Sequence, residues 1–493
     1  MASSSGSRHP RGLYVLFFAE MWERFSYYGM RALLVFYMTR HFLFGDRPAY
    51  AVYGSYTALV YTTPVLGGML ADRFLGYRKA VIAGGILMAL GHFAMAVDHL
   101  QVFYLALALL ICGNGFFKPN ISTIVGRLYA PGDPRRDGGF TIFYMGINLG
   151  AGAAPLVCGY LGETYGWHWG FGLAGVGMIL GLLVFWRGQR LLAGVADPPD
   201  PERLRAPLAA GVSRELGIYL ATAAAVLVCW QLVQRSHAVG SILTLTGVAV
   251  VGALAYIMLT RCEPRERDRL LVVSVMILVS VVFWAFFEQA GSSINLFTDR
   301  NVDRTVWHWT LPASLFQSVN PGYIILLAPL FAGLWVRLAR RGKEPSTPTK
   351  FAFGVIQLGL GFGVLYLGAR SADQNGMVAL EWLFVGYLLH TTGELCLSPV
   401  GLSMVTKLSP ARIVGWMMGC WFLSSAFAQY IGGLIAMLAG VSVDGAATAG
   451  LPPPTETVMV YGSVFGKLGL VAFVVGVGLL AFVPALKRRM HSA

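Results

Sequence analysis

The stretch Glu20-Met21-Trp22-Glu23-Arg24-Phe25-Ser26-Tyr27-Tyr28-Gly29-Met30-Arg31 places four charges inside an apolar run from Leu13 to about Met38. On an α-helix, positions 20, 23, 24, 27, 28 and 31 share one face, which carries two glutamates, two arginines and two tyrosines. A charged side chain near the bilayer centre costs about 2.5–3.5 kcal/mol even on the mildest insertion scale, so this face must meet protein or water. The stretch therefore predicts a transmembrane helix that lines a polar cavity. Ion pairs that only hold the helices together are the alternative, which is disfavoured because desolvation can cancel the Coulomb gain of a buried pair.

The composition predicts a membrane protein with many spans. The chain has 493 residues, of which 56% are hydrophobic and 12% charged, and its mean hydropathy is +0.63. The net charge of +13 does not indicate a nucleic-acid partner, because the basic residues lie between apolar runs. Six scattered cysteines lack the spacing of a metal site or a disulfide framework. We therefore expect no cofactor.

Apolar segments long enough to cross a bilayer of about 30 Å occur fourteen times. They lie at 13–40, 50–71, 79–98, 101–126, 140–162, 169–187, 215–234, 239–260, 270–297, 312–338, 351–369, 379–406, 412–440 and 457–486. The first is too long and too charged for a cleaved signal peptide, so we expect a retained helix. The pattern predicts an all-α polytopic membrane protein with 14 transmembrane helices.

The basic residues predict how the chain is oriented in the membrane. Of the 37 lysines and arginines, 27 fall in alternate loops together with the two chain ends. The opposite loops and helix ends hold six, which are Arg40, Arg47, Arg235, Arg300, Arg304 and Arg370. The remaining four lie within spans and are Arg24, Arg31, Lys118 and Lys467. Because basic loops stay on the cytoplasmic side, both termini are predicted to be cytoplasmic.

The pattern Glu20-x-x-Glu23-Arg24-Phe25-x-Tyr27-Tyr28-Gly29 resembles the first-helix signature of the proton-coupled oligopeptide transporters, a family of the major facilitator superfamily. Further matching stretches are Gly115-Phe116-Phe117-Lys118-Pro119-Asn120-Ile121-Ser122, Phe143-Tyr144-Met145-Gly146-Ile147-Asn148-Leu149-Gly150, Phe286-Phe287-Glu288-Gln289 and Glu394-Leu395-Cys396-Leu397-Ser398-Pro399. The resemblance spans essentially the whole chain. It implies a proton symporter of the bacterial inner membrane that imports di- and tripeptides, with the lipid bilayer as its surroundings and the monomer as its working form.

The resemblance also implies a major facilitator fold of two six-helix bundles plus two extra helices. We expect an N-terminal bundle at 1–188, a cytoplasmic linker at 189–214, two additional transmembrane helices at 215–261 and a C-terminal bundle at 262–493. The pattern Gly68-x-x-x-Asp72-x-x-x-Gly76-x-Arg78-Lys79 resembles the superfamily's motif between helices 2 and 3, and it has a partial repeat from Gly333 to Lys343. Parallel repeats of this kind predict a binding site between the two bundles.

Lys118 is a basic residue in an otherwise apolar helix and is followed directly by Pro119. A lysine in this position must pair with an acid or lose its proton. Glu20 and Glu23 are the expected partners across the cavity, and a carboxylate that exchanges partners on protonation is a proton relay. The alternative is a lysine at a helix end that extends to the cytoplasmic surface.

Acidic residues dominate the corresponding helices of the second half. Glu288 follows Trp284 by four residues, and Glu394 follows His390 by four, so each pair shares a helix face. Ser398-Pro399 is expected to interrupt the helix that carries Glu394. Since the first half carries buried cations and the second half buried acids, a zwitterion such as a short peptide would fit between them.

The family resemblance assigns individual roles. It implies that Arg24, Arg31 and Lys118 bind the peptide carboxylate, that Glu394 binds the amine, and that the amides of Asn148 and Asn320 hold the peptide backbone. Ser398, in the same matched motif as Glu394, is also expected to bind the substrate. Five residues are tied to proton coupling, namely Glu20, Glu23, Arg24, Lys118 and Glu288. Arg31 and Glu288 are expected to form a gate salt bridge, and protonation of Glu288 is expected to release Arg31 and let the outer gate close. The candidate aromatic walls of the site are Tyr27, Tyr28, Tyr61, Trp284 and Trp421.

Some features keep other functions open. Residues 51–70 contain no histidine, although animal members of the family carry an important one there, so proton coupling is expected to use carboxylates. His390 and Lys467 receive no role. A carrier of nitrate or another small anion, and a peptide sensor that does not transport, remain as alternatives. The sequence has no Gly-rich phosphate loop followed by lysine and no arrangement typical of a triad or a metal cluster, so an enzyme is not expected.

Overall fold

The computed structural model describes residues 8–130, 132–192, 194–209, 211–441 and 452–490. The chain forms two compact units, of which the first comprises Met1–Arg31 and Thr62–Gln231 and the second Ala32–Tyr61 and Leu232–Ala493. Helices α1 and α2 begin the chain and are each divided between the units. The helices from α1 to α9 are α1 (Arg11–Phe36), α2 (Asp46–Leu70), α3 (Gly76–Met95), α4 (Leu100–Arg127), α5 (Arg136–Ala154), α6 (Tyr160–Tyr165), α7 (Trp167–Arg187), α8 (Pro201–Arg205) and α9 (Arg214–Val233).

The second half of the chain is also helical. Its helices are α10 (Ser236–Thr260), α11 (Pro264–Phe287), α12 (Ser293–Asn301), α13 (Val319–Arg340), α14 (Thr347–Arg370), α15 (Leu380–Leu408), α16 (Val414–Leu438) and α17 (Pro454–Arg489). Two short antiparallel hairpins complete the described elements, with strands β1 (Pro207–Ala209) and β2 (Val212–Ser213), and β3 (Thr305–Val306) and β4 (Trp309–Thr310). Both hairpins lie in connections between helices.

Eleven helical segments in the described residues are long and apolar enough to cross a membrane. One of them, Asp46–Met95, has 50 residues and contains two of the predicted spans, α2 and α3. The charged helix α1 and the helix α15, which carries His390 and Glu394, fall outside that number. The eleven segments thus contain twelve of the predicted spans, and α1 and α15 are the other two of the fourteen.

Two local predictions differ from the structure. The predicted span 270–297 is broken, because α11 ends at Phe287, a 3₁₀ turn covers Glu288–Gly291, and α12 begins at Ser293. The expected interruption at Ser398-Pro399 is wrong, because the backbone of α15 is helical from Leu380 to Leu408. Neighbouring groups can satisfy the carbonyl that a proline leaves unbonded in a membrane helix.

The linker before α9 lies against the segment that connects α2 and α3. Arg78 at the start of α3 forms an ion pair with Asp197, with 2.8 Å between Nη2 and Oδ1. Its backbone N–H also donates to the carbonyl of Ala196 at 2.9 Å. Part of the linker forms the short helix α8, capped by the Asp200 side chain, which accepts from the backbone N–H of Arg203 at 2.8 Å. The linker is therefore a structured element of the first unit.

The two additional helices, α9 and α10, make their contacts in different units. In the first unit, the Lys79 ammonium forms an ion pair of 2.6 Å with Glu215 of α9, and the sulfur atoms of Cys112 and Cys229 lie 3.9 Å apart. In the second unit, α10 packs against α16, with Val239 and Leu243 in one buried cluster with Ala58 and Ala426. The boundary between the units falls at Gln231 and Leu232, just before the turn that joins α9 to α10.

Candidate functional site

A buried cluster on α1 joins one guanidinium to two carboxylates. Nη2 of Arg24 donates to Oε1 of Glu23 at 2.7 Å, and Nε of Arg24 also bonds the same carboxylate. Glu20, one turn earlier, places Oε1 at 3.3 Å from Nε of Arg24. None of the three residues is more than 3% exposed. Because two acids share one cation, the cluster on α1 requires further positive charge from another helix or a proton.

Helix α4 supplies both a hydrogen bond and a positive charge to this cluster. The amide of Asn114 donates to Oε1 of Glu23 at 3.3 Å. One turn further along α4, the half-buried Lys118 interacts electrostatically with Glu20. Of the two acids predicted to face Lys118, Glu20 is the one with which it interacts within the first unit. Sequence reasoning missed Asn114, although its position four residues before Lys118 places it on the same face of the helix.

One carboxylate oxygen of the cluster accepts no hydrogen bond from the described residues. Oε2 of Glu20 is buried and has no hydrogen-bond partner among the described residues. Buried polar atoms are rarely left unpaired in proteins, because the lost hydrogen bond costs free energy. A buried carboxylate oxygen without a hydrogen bond is a place that can accept a proton, because burial and the neighbouring Glu23 disfavour a second negative charge, although Arg24 and Lys118 oppose protonation.

Glycines in the matched motifs hold α1 close to its neighbours. A Cβ atom at Gly29 would lie 2.7 Å from the sulfur of Cys158, which follows α5. A Cβ atom at Gly150 would lie 3.0 Å from the backbone nitrogen of Phe25. Any larger residue would push α1 away from α5. The two motifs therefore fix the position of the helix that carries the charged cluster.

The second unit contains a carboxylate with a different set of partners. Oε2 of Glu394 on α15 accepts a hydrogen bond of 3.0 Å from the amide of Asn320 on α13. The same amide donates to the hydroxyl oxygen of Thr391 at 3.0 Å. Glu394 is 7% exposed, and within the part of the chain that the structure describes it forms no ion pair with a lysine or arginine. The carboxylate is oriented by neutral groups and remains available to a cation.

A second acid lies close to Glu394. Glu288 is at the end of α11, where the helix gives way to the 3₁₀ turn, and it repels Glu394 electrostatically. The break is anchored by Gln289, whose amide nitrogen donates to the carbonyl oxygens of Ala285 at 3.0 Å and Gly432 at 2.9 Å. Interrupted helices place polar groups at membrane depth in many transporters. Sequence reasoning missed this break, although Gly291 and Ser292 lie in it and are a turn signal that could have indicated it.

The structure places every predicted site residue in a described helix or turn. The buried ones are Glu20, Glu23, Arg24, Tyr27, Arg31, Asn148, Glu288 and Glu394, and the half-buried ones are Tyr28, Tyr61, Lys118, Trp284, Asn320, Ser398 and Trp421. Tyr27 and Tyr28 have guanidinium groups over their rings, with Arg24 at 5.4 Å and Arg31 at 5.7 Å from the respective centroids.

The remaining predicted aromatic and polar residues differ in their surroundings. Tyr61 packs against the buried cluster that joins α2, α10 and α16. Trp421 lies against Gly401 of α15, where a Cβ atom would be 2.6 Å from Cζ2 of its ring. The amide of Asn148 donates to the carbonyl of Tyr144 in its own helix at 3.0 Å, so the amide oxygen remains for another partner. Among the described residues there is no group of three or more His, Cys, Asp or Glu side chains that could hold a metal ion.

A buried ion pair in the second unit was not predicted. Arg300 at the end of α12 donates to both carboxylate oxygens of Asp46, at 2.7 and 2.8 Å, and to the hydroxyl of Tyr461 at 2.9 Å. Asp46 is the first residue of α2 and lies 254 positions before Arg300 in the sequence. Nearby, the amide of Asn295 donates to the carbonyl of Ala32 at 3.3 Å. The ends of α1 and α2 that belong to the second unit are thus fastened to α12.

Known proteins resemble this chain over most of its length. The family model described as "POT family" matches residues 78–449. Peptide transporter YePEPT of Yersinia enterocolitica is 38% identical over 453 residues, which cover 87% of each chain. Dipeptide and tripeptide permease B of Edwardsiella piscicida is 31% identical over 489 residues, which cover 98% of this chain and 96% of that relative. A crystal structure of a mutant of peptide transporter POT in complex with alafosfalin is 38% identical and matches with a TM-score of 0.84, covering 99% of this chain and 97% of that one.

Proposed function

The chain belongs to the POT family, and from this premise we propose that it imports di- and tripeptides together with protons across the bacterial inner membrane by alternating access. Its relatives are named as transporters rather than enzymes. The predicted fold, fourteen transmembrane helices of the major facilitator type, is confirmed by the match to the solved peptide transporter. The chain is a multi-pass membrane protein.

The observation that carries this proposal is the Glu394 carboxylate, which neutral groups hold in place while no described lysine or arginine neutralises it. A buried carboxylate without a cation is costly, and the amine of a peptide would supply the missing positive charge. In the first unit, Arg24, Arg31 and Lys118 offer positive charge for the peptide carboxylate.

In this proposal, proton coupling begins when Oε2 of Glu20, which has no hydrogen-bond partner among the described residues, accepts a proton. A proton on Oε2 removes one negative charge from the cluster, so Arg24 then pairs with Glu23 alone. The attraction between Lys118 and Glu20 weakens, so Lys118 binds a peptide carboxylate more strongly. Protonation of Glu288 would likewise release Arg31 from the expected gate salt bridge. Proton entry and peptide binding are coupled because both change the partners of the same cations.

The ion pair between Asp46 and Arg300 is proposed as part of the gate on the outer side. With both termini in the cytoplasm, as the basic residues predict, Asp46 and Arg300 lie at the outer ends of α2 and α12. Opening toward the outside requires these ends to separate, which breaks two hydrogen bonds to a charged group. The monomer holds every residue named in this mechanism and is the proposed working form.

The decisive experiment is uptake of labelled dialanine into proteoliposomes that contain the purified protein. Uptake is measured with and without an inward proton gradient and a negative interior potential. We expect accumulation that a proton ionophore abolishes, and that unlabelled di- and tripeptides reduce while free amino acids do not. The Glu394→Gln variant, reconstituted at the same density, is the matched control for leakage.

Other outcomes would support the alternative functions. Competition by nitrate but not by a dipeptide would indicate an anion carrier, for which an acid at Glu394 has no evident use. Binding of dialanine without accumulation under either condition, in protein shown to be folded, would indicate a peptide sensor. Either result would overturn the proposed symport.

A further inference from the structure

Lys467 is a charged residue on the exposed face of α17, away from the site described above. It lies among exposed apolar side chains, with Leu470 66% exposed and Val474 58% exposed on the same face. Within the described ranges, Lys467 has no ion-pair or hydrogen-bond partner. A lysine on a helix face that meets lipid must reach either a polar surface or an acidic ligand.

The contacts between α14 and α17 fix the depth of Lys467 in the membrane. A Cβ atom at Gly466 would lie 3.1 Å from the ring of Tyr366, so these two residues are level. Helix α14 ends four residues later, at Arg370, which corresponds to about 6 Å of helix. This distance is within the reach of a lysine side chain. The ammonium of Lys467 can therefore extend to the membrane surface at this end of α14.

The opposite end of α17 supports the same depth. Lys487 begins the basic sequence that ends the helix, twenty positions after Lys467. Twenty residues of α-helix span about 30 Å, which equals the thickness of the hydrocarbon core. The two lysines thus lie at opposite boundaries of the membrane. Given the orientation proposed above, Lys467 faces the headgroups of the outer leaflet.

A tyrosine beside Lys467 adds a second polar group. Tyr366 is half-buried, its ring lies across Gly466, and its hydroxyl has no hydrogen-bond partner among the described residues. Toward the membrane centre, the exposed side chains of Leu470 and Val474 on α17 are accompanied by Leu360, 46% exposed, on α14. Lys467 and Tyr366 therefore lie at the same level of α17 and α14, next to an apolar strip formed by Leu470, Val474 and Leu360.

We propose that Lys467 and Tyr366 form a binding site for the phosphate of an anionic phospholipid, whose acyl chain lies along the apolar strip of α14 and α17. The ammonium supplies a charge-assisted hydrogen bond to a phosphate oxygen. The tyrosine hydroxyl donates a second one. Zwitterionic lipids present the same phosphate but carry a compensating amine, so the site favours lipids with net negative charge.

Lipid retention by the purified protein tests the site. Because Lys487, Arg488 and Arg489 also attract anionic lipid, all variants carry glutamine at these three positions. Each protein is mixed with equal amounts of phosphatidylglycerol and phosphatidylcholine, and native mass spectrometry counts the lipids that remain bound. We expect Lys467→Met to lower the retained phosphatidylglycerol about fivefold, the factor that one lysine contributes near an anionic surface, and Lys467→Arg to retain it.

Matched variants show whether the charge of Lys467 itself retains the lipid. Leu470→Met changes the same face without removing charge and should leave the lipid ratio unchanged, while Tyr366→Phe should produce a smaller loss than Lys467→Met. Equal retention by the parent and Lys467→Met would overturn the proposal. So would a change in oligomeric state in Lys467→Met at constant lipid retention, because an acidic group of a second copy would then be the partner of Lys467.

Discussion

The two units solve the problem of a buried carboxylate in different ways. In the first unit, Glu23 accepts hydrogen bonds from Arg24 and from Asn114. In the second, Glu394 accepts a bond from Asn320, and the described residues give it no cation. Glu23 and Glu394 thus each accept a hydrogen bond from an asparagine on a neighbouring helix. Among the described residues, only Glu23 also pairs with an arginine. Glu23 is therefore already paired, whereas Glu394 has no lysine or arginine partner among the described residues and can accept a cation.

This difference separates the two tasks of a symporter. A cluster in which cations and acids exchange partners responds to one added proton, because the proton changes which pairs are formed. The carboxylate of Glu394 is held by the amide of Asn320, which also bonds the hydroxyl of Thr391, so it keeps its position whether or not a ligand is present. The first arrangement suits a step that must be reversible, and the second suits selection of a ligand with a positive charge.

The largest effect should follow from removing an acid of the first cluster. In Glu20→Gln or Glu23→Gln, Arg24 keeps a single acidic partner and the exchange of pairs is lost. We expect uptake driven by a proton gradient to fall to the level seen with a proton ionophore, while counterflow exchange of dialanine continues. Glu202→Gln, in the exposed helix α8, is the control. Accumulation at the wild-type level in both variants would remove the relay from the mechanism.

The next effect should come from the acid of the second unit. Glu394→Gln removes the charge that meets the peptide amine, and a hydrogen bond to a charged group contributes about 1.5–3 kcal/mol, so we expect dipeptide binding to weaken about 10- to 100-fold. The test is competition binding with free and N-acetylated dialanine. Wild-type protein should prefer the free amine and the variant should not. The exposed Glu381→Gln change is the control. An unchanged preference in Glu394→Gln would assign the amine to another residue.

A smaller effect is expected when the acid remains but its support is removed. Asn320→Ala deletes the bond to Glu394, and a neutral donor contributes about 0.5–1.5 kcal/mol, so dipeptide affinity should fall about fivefold. Thr392→Val removes a hydroxyl that bonds only the carbonyl of Leu389 at 3.1 Å, and it should leave affinity unchanged. Equal losses in the two variants would point to a general loosening of α15.

The smallest effect should come from Asn114→Ala in the first unit. The bond from Asn114 to Glu23 is long, at 3.3 Å, and Arg24 continues to hold the carboxylate. We expect the initial rate of gradient-driven uptake to change by less than about twofold. Asn320→Ala, measured in the same uptake assay, is the comparison, since both changes remove an asparagine from a carboxylate. A loss after Asn114→Ala as large as that after Asn320→Ala would contradict the distinction between the two acids.

The sequence was sufficient for the elements whose signal is local. The charged face of α1 follows from the spacing of Glu20, Glu23 and Arg24, and the structure brings these side chains into one cluster. The fourteen spans follow from length and hydropathy. The interaction of Lys118 with Glu20 could be predicted because a lysine inside an apolar helix requires an acidic partner.

Pairings between residues far apart in the sequence could not be predicted. Asp46 and Arg300 are 254 positions apart, and each occurs in a segment where a charge at a helix end is common. The end of α11 at Phe287 is set by Gln289, whose amide reaches Gly432 on another helix. Predicting the partners of Glu394 would have required knowledge of which turn of α13 faces α15. These features depend on tertiary contacts that hydropathy and spacing do not encode.

The division of the additional helices bears on whether the protein can be made as two polypeptides. Helix α9 is fastened to the first unit through Lys79 and Glu215, and α10 is packed in the second. A chain break in the turn between Val233 and Ser236 leaves each helix with the unit that it contacts. The fragment that ends there also carries Asp46, whose partner Arg300 lies in the other fragment, and this bond would help the two to associate. Coexpressed fragments should therefore complement each other in peptide uptake, whereas a break between α8 and α9 would leave α9 on the wrong polypeptide.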